Sequence, residues 1–111
     1  MEERRKAWIG ELILVKGDVV STGDLVIDGQ VQGTIELGNH SLMIGPTASV
    51  TADLKANEVT ISGQLKGNVT GSGRVELKST SKVEGNINAP KFVMEDGATL
   101  SGKVDTGGKK N

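Results

Sequence analysis

Few side chains in this sequence could carry out acid–base or metal chemistry. The 111 residues include one histidine, His40, and no cysteine. A catalytic histidine needs a nucleophile within reach, and a metal site needs several ligands at a suitable spacing. Neither accompanies the stretch Gly38-Asn39-His40-Ser41. His40 is therefore predicted to be a solvated corner residue, and the sequence predicts no metal site.

The carboxylates and glycines likewise indicate turns rather than a catalytic or nucleotide site. Asp28 and Asp96 each precede a glycine, which is typical of a chain corner because both residue types tolerate turn conformations. No pattern brings these two carboxylates into one pocket as an acid/base pair. Gly71-Ser72-Gly73 opens no helix, so it does not predict a phosphate-binding loop. We expect no enzymatic activity and no cofactor.

Composition narrows the class of protein further. The 13 Lys and Arg residues are balanced by 14 Asp and Glu residues, whereas nucleic-acid binders usually carry a basic excess. The run Leu12–Val15 is the longest purely aliphatic stretch, too short to span a membrane, and no secretory signal is recognisable. These features predict a single cytoplasmic domain. Trp8 and Phe92 are the only aromatic residues, beside 16 glycines, so the core must be built from small aliphatic side chains.

A five-residue repeat is the strongest signal in the sequence. Its pattern is aliphatic, polar, small, polar, aliphatic, and successive copies start 15 to 19 residues apart. The six copies are Val15–Val19, Val31–Ile35, Val50–Leu54, Leu65–Val69, Val83–Ile87 and Leu100–Val104. A second apolar segment precedes each copy after the first by six to eight residues, as Leu25-Val26-Ile27 and Leu42-Met43-Ile44 show. Self-similarity at a fixed short period indicates a solenoid.

The spacing within each copy identifies the secondary structure. Apolar residues recur at i and i+2, the period of a strand, and Gly, Asn, Asp or Pro lies between the strands. We therefore predict an all-β fold, a single-stranded parallel β-helix of about six turns of roughly 17 residues, stacked about 4.8 Å apart. The central glycines are predicted to lie where a narrow cross-section leaves no room for a Cβ. These glycines are Gly17, Gly33, Gly67, Gly85 and Gly102.

The turn length bears on the handedness. A left-handed β-helix favours a strict six-residue register, and some spacings fit it, such as Leu25 to Val31 and Leu77 to Val83. The total turn length nevertheless varies between 15 and 19 residues. Variation at the corners favours a right-handed helix, which we predict. A left-handed helix and an ordinary β-sandwich remain as alternatives.

The repeat resembles that of the bactofilins, a family of bacterial cytoskeletal proteins. The resemblance rests on Ile9-Gly10-Glu11, on Leu25–Ile35, on Leu42–Ala48 and on Ile87-Asn88-Ala89-Pro90, and it covers roughly residues 9 to 105. It implies a right-handed β-helix that assembles end to end into non-polar filaments without nucleotide. It also implies a scaffold for cell shape that recruits cell-wall or envelope proteins. Bactofilins often carry Phe before the glycine of the last turn, where this chain has Leu100.

The two ends of the solenoid are the predicted polymer interfaces, because a first or last turn exposes apolar side chains and unpaired backbone groups. The C-terminal contact is predicted at Phe92, Met94, Leu100 and Val104, and the N-terminal contact at Ile9, Leu12 and Leu14. We expect three segments: a lead-in over residues 1–8, a polymerisation domain over 9–105 and a tail over 106–111. Neither flanking segment looks long enough to cap the solenoid.

The N-terminal segment has two interpretations. Arg4, Arg5, Lys6 and Trp8 place three cations beside one interfacial aromatic, which could contact an anionic membrane surface, as the N-terminal peptides of many bactofilins do. Alternatively, Trp8 simply covers the first turn. Glu2 and Glu3 offset two of the cations, so any membrane contact at the inner face of the cytoplasmic membrane is expected to be weak for one subunit.

Two other functions remain open at this point. A capped, monomeric β-helix could present a flat lateral face to a partner protein. A left-handed β-helix transferase is the least favoured, because such an enzyme would be expected to use a histidine in a cleft between subunits.

Overall fold

The chain forms a parallel β-solenoid. The computed structural model describes residues 6–10, 12–20 and 23–106, and all regular structure in that part of the chain is β-strand. The strands are β1 (Lys6–Ile9), β2 (Leu14–Val20), β3 (Asp24–Ile27), β4 (Gln30–Glu36), β5 (Ser41–Ile44), β6 (Ser49–Ile61), β7 (Gln64–Lys66), β8 (Val69–Leu77), β9 (Lys82–Asn88), β10 (Lys91–Met94) and β11 (Thr99–Asp105). The predicted domain boundary at residue 9 falls at the end of β1, so the first strand begins three residues earlier. The predicted tail lies outside the described residues from position 107 onward.

The strands stack into two parallel ladders of six rungs each. The first face consists of β1, β3 and β5, then residues 58–61 of β6, residues 74–77 of β8 and finally β10. The second face consists of β2 and β4, then residues 49–55 of β6, followed by β7, β9 and β11. About five complete turns separate the first rung from the sixth. The β-solenoid is confirmed, whereas its right-handed winding stays a prediction.

The core is a set of aliphatic columns that run along the solenoid. Ile27, Ile44, Ile61 and Leu77 occupy equivalent positions in successive rungs of the first face, and each has no solvent exposure. On the second face Val31, Val50, Leu65 and Val83 form a similar column. The side chains that alternate with these buried residues along each strand point outward, because successive residues of a strand face opposite sides. No described aromatic side chain belongs to the fully buried core, since Phe92 is only half-buried.

The repeated glycines lie at a bend of the second-face strands, where the preceding rung leaves no room for a Cβ except at Gly17. Gly33 is exposed although Val31 and Ile35 on either side are buried. All five glycines of the column have φ values between +124° and +143°, a region that other residues rarely adopt. A Cβ on Gly67 would collide with the carbonyl oxygen of Ala52 in the preceding rung. Gly17, in the first rung, has nothing within 4 Å of such a Cβ, so there only φ requires glycine.

The corners explain why the repeat length varies. Some corners contain only two residues between strands, as at Asp28-Gly29 and Ser62-Gly63. Others form a turn closed by a backbone hydrogen bond, in which the amide of Ala48 donates to the carbonyl of Gly45 (3.0 Å) and the amide of Ser81 to that of Lys78 (2.9 Å). A further change in length lies within the pairing of β6 with β8, where the register shifts between Ala56 and Glu58. The strands on either side of these places stay aligned.

Candidate functional site: the terminal rungs

The first candidate for chemistry, His40, lies at a corner beside one carboxylate. Its Nδ1 lies 3.9 Å from an oxygen of Asp24, and the two side chains are 42% and 51% exposed. The same Asp24 oxygen accepts a hydrogen bond from the amide of Ser41 (3.0 Å). The described residues contain no cluster of three or more potential metal ligands. Asp24 therefore holds the turn that carries His40.

The other candidate chemical groups are dispersed along the solenoid. Asp28 follows the second rung of the first face and Asp96 follows the sixth, so about 19 Å of stacked strands lies between them. Ser72 of the Gly71-Ser72-Gly73 stretch lies in β8 and donates its hydroxyl to the side-chain oxygen of Asn57 (3.2 Å).

One ion-pair network links the fifth and sixth rungs. Lys78 Nζ lies 3.0 Å from Glu76 and 3.4 Å from Glu95, and Arg74 lies 3.4 Å from Glu76. The hydrogen bond to Glu76, followed by that to Glu95, raises the pKa of Lys78 above its ordinary value of 10.5. The amide of Ser79 also donates to Glu95 (3.1 Å). These contacts hold the corner of one rung against the next.

The terminal rungs expose apolar surface that the inner rungs bury. Leu100 occupies the same column as Leu65 and Val83, which are each 1% exposed, but Leu100 is only half-buried. Met94 is 42% exposed, whereas Leu77, its equivalent one rung earlier, is fully buried. The core columns therefore continue to the C-terminal end and stop there without a covering layer from the described residues.

The N-terminal rung shows the same change. Val15 and Val19 are half-buried, whereas their equivalents in the next rung, Val31 and Ile35, are fully buried. Leu12 is 97% exposed in the corner that precedes β2. Among the described strands, β1 pairs only with β3 and β2 only with β4. One edge of each terminal strand is therefore available for hydrogen bonds to another chain.

The predicted interface residues fall into two groups. Phe92, Leu100 and Val104 are half-buried inward positions of the last rung, and Met94 is an exposed inward position of the same rung. Ile9 occupies the position of Met94 in the first rung and is half-buried. Leu14, by contrast, shares an outward column with the polar residues Gln30 and Ser49, so it lies at the rim of the N-terminal end. The additional apolar residues at the two ends are Ile13, Val15, Val19, Val20, Val93 and Ala98. Ile13 lies in the corner before β2, where the strand period does not apply, whereas Val20 is the outward neighbour of Val19, as the period of a strand predicts.

The candidate membrane contact is largely beyond what the structure describes. Arg4 and Arg5 lie outside the described residues, as does most of the 1–8 segment. Lys6 and Trp8 belong to β1, and Trp8 is in register with Val26. No helix in the described part of the chain has the length and apolar character needed to cross a membrane.

These features define a class of protein: a parallel β-solenoid whose first and last rungs expose the apolar layers that every inner rung buries. The model of the bactofilin family, described as polymer-forming cytoskeletal proteins, matches residues 7–105. The chain belongs to the bactofilin family.

Three bactofilins of Myxococcus xanthus are similar to the chain. BacN is 46% identical over 97 residues, which cover 87% of this chain and 85% of BacN. BacO is 40% identical over 97 residues, 87% of this chain and 76% of BacO. BacP is 32% identical over 99 residues, 89% of this chain but only 41% of BacP, so the likeness to BacP covers less than half of that protein. No solved structure gives a significant match.

Proposed function

We propose that this chain is a scaffold subunit that self-assembles end to end, without nucleotide, into non-polar filaments. The supporting observation is the abrupt change in exposure along two core columns of the second face, from at most 1% in the inner rungs to half-buried at Val15, Val19, Leu100 and Val104. A second copy stacked on either end would complete these columns. Membership of a polymer-forming cytoskeletal family supports the same proposal.

Burial of the terminal apolar side chains would supply the driving force for association at each end. Burial of apolar surface contributes about 25 cal/mol per Å², so a few hundred Å² would supply several kcal/mol before the costs of association. Contacts between like ends, N to N and C to C, follow from two-fold symmetry and would give a filament without polarity. Each subunit would then use two different self-complementary surfaces.

We also propose that the filaments act in the cytoplasm, supporting cell shape or localising cell-wall and envelope proteins. Family membership is the support for this cellular role. A weak contact of the N-terminal segment with the membrane surface would be strengthened in a filament, because many weak anchors act together. The three cations of Arg4, Arg5 and Lys6 are too few to hold one subunit, at about 1 kcal/mol per basic residue.

Electron microscopy of untagged protein at low and high salt tests the assembly. We expect filaments at both salt concentrations, since the end contacts are apolar and salt screens only charge interactions. A monodisperse monomer under all conditions would contradict the proposal and would favour a monomeric module that binds partners through a lateral face.

A further inference from the structure

A methionine occupies the exposed end of one inward column. The earlier members of this first-face column, from rung one to rung five, are Ile9, Ile27, Ile44, Ile61 and Leu77. The members in rungs two to five are fully buried. Met94 takes the same position in the sixth rung, where it is 42% exposed. The column therefore consists of hydrocarbon side chains except at its C-terminal end, where a thioether is open to solvent.

The sulfur gives Met94 a reactivity that the rest of the column lacks. A methionine thioether is oxidised to a sulfoxide, a polar group that can be reduced again, whereas the side chains of Ile and Leu offer no such site. With hydrogen peroxide, the sulfur donates an electron pair to one peroxide oxygen, and the S–O bond forms as the O–O bond breaks. The other oxygen leaves as water with both protons. Sulfur is oxidised by two electrons, peroxide is reduced by two, and no other reactant is needed.

We propose that Met94 is an oxidative modification site, at which conversion to the sulfoxide by hydrogen peroxide blocks assembly through the C-terminal end. In its reduced form Met94 adds to the apolar layer that a second copy would cover. The sulfoxide oxygen is a hydrogen-bond acceptor, and burying it without a donor is unfavourable. A two-fold contact between C-terminal ends contains Met94 from both copies, so the penalty enters twice. The inference rests on the proposed end-to-end assembly.

Assembly should in turn protect Met94 from the oxidant. Peroxide can reach the exposed side chain in a free subunit, whereas a second copy stacked on the last rung would cover it. Oxidation therefore acts on subunits before they join a filament and on free C-terminal ends. Met43 provides an internal reference, because it is 49% exposed at an outward position of rung three, away from both ends.

A glutamine substitution imitates the sulfoxide without any oxidant. Met94→Gln keeps a side chain of similar length but places a polar group in the last rung. We expect the lowest protein concentration at which filaments form to rise at least tenfold, with dimers joined at the N-terminal end below it. Met43→Gln makes the same change at the outward reference position and should leave this concentration unchanged. Met94→Leu restores a hydrocarbon side chain and should assemble like the unchanged protein.

Direct oxidation tests the modification itself. Unchanged protein and Met94→Leu are unfolded in urea, oxidised with hydrogen peroxide, freed of both reagents and refolded, and circular dichroism checks the β-structure. We expect the oxidised unchanged protein to sediment as dimers. Met94→Leu should form filaments after the same treatment, although its other methionines, Met1 and Met43, are oxidised. Treatment with two methionine sulfoxide reductases, one for each sulfoxide epimer, should restore filaments of the unchanged protein.

Oxidation rates in the folded protein test whether the last rung is covered in a filament. Tryptic cleavage after Lys and Arg places Met43 in the peptide 17–55 and Met94 in the peptide 92–103, so mass spectrometry follows the two sulfoxides separately. Leu100→Arg, which places a charge in the C-terminal contact, provides protein with an open last rung. We expect the rate at Met94, relative to that at Met43, to be at least tenfold lower in filaments than in Leu100→Arg.

The outcomes separate this inference from the function on which it rests. Normal filaments from Met94→Gln, or from protein with the sulfoxide at position 94, would overturn the inference and leave end-to-end assembly intact. Equal loss of filaments in oxidised Met94→Leu would assign the effect to another residue, and filaments that stay absent after the sulfoxide is reduced would show irreversible damage; either result overturns it. Equal relative rates in filaments and in Leu100→Arg would also do so. Absence of filaments from the unoxidised, unchanged protein would overturn the proposed function itself.

Discussion

Position 67 requires glycine for two reasons: its backbone conformation and the close approach of the preceding rung. Its φ is +135°, and a Cβ would collide with the carbonyl oxygen of Ala52 in the preceding rung. We therefore predict that Gly67→Val lowers the free energy of unfolding by about 3 kcal/mol, through backbone strain and a displaced rung. Urea unfolding measures the change. Lys66→Val, one residue away and outward-facing, should change the free energy by less than about 0.5 kcal/mol; equal losses for both would refute the proposed role of the glycine.

The Lys78 ammonium provides a residue-scale prediction about pH. Its hydrogen bonds to Glu76 and Glu95 raise its folded-state pKa above 10.5. A raised pKa stabilises the folded state fully below the unfolded pKa, and this stabilisation disappears as the pH rises through the folded pKa. We expect Lys78→Gln to be slightly less stable than the unchanged protein at pH 7 and pH 9, with the difference vanishing above about pH 10.5 and shrinking in salt. Lys66 forms no ion pair with any described residue, so Lys66→Gln should show no such trend. If the stability difference between Lys78→Gln and the unchanged protein persists in strong alkali, the ion pairs of Lys78 are not its cause.

At the scale of the element, the two terminal rungs are the parts of the solenoid that differ from the rest. Leu12, at 97% exposure, can be changed without disturbing the core, and Leu100 lies at the opposite end. Leu12→Arg or Leu100→Arg should each stop filament growth, because a charge would be buried unpaired in the contact. Each variant should remain folded and form dimers through the unaltered end, and the double variant should be monomeric by sedimentation velocity.

The matched control for this pair is a charge placed outside the terminal rungs. Thr51→Arg, in the middle of the second face and exposed, should leave filament length unchanged. Filaments of normal length from folded Leu100→Arg protein would place the C-terminal contact elsewhere. Phe92→Arg is a weaker test, since Phe92 packs partly against the core and its loss could unfold β10.

For the whole molecule, assembly is expected to be independent of nucleotide. The described chain has no glycine-rich loop at the start of a helix, the arrangement that commonly cradles a triphosphate, and the proposed driving force is burial of apolar surface at the ends. The yield of polymer in a sedimentation assay should be the same with ATP, with GTP or with neither, in the presence and absence of Mg²⁺. A reproducible dependence on either nucleotide would contradict the proposed mechanism.

Much of the fold could be predicted from the sequence because a solenoid is built from local repetition. Apolar residues at i and i+2, such as Val75 and Leu77, indicate which side chains face inward, and the corner residues Asp28-Gly29 indicate where a strand ends. Because each rung contacts only its neighbours, one correctly identified repeat determines the next. The columns of buried aliphatic residues follow directly from this pattern.

The contacts between residues of neighbouring rungs could be read only from the tertiary structure. At the bend of the second-face strands, the carbonyl of the preceding rung occupies the space of a Cβ, a contact between residues 15 to 18 positions apart that no local pattern reveals. The half-buried state of Val15 and Val19 likewise depends on their place in the first rung, since their equivalents Val31 and Ile35 are fully buried. Likewise, Glu58 and Arg74 are brought to adjacent rungs by the pairing within β6 and β8. Residue types and their period are properties of the chain, whereas the surfaces they form depend on how the rungs are stacked.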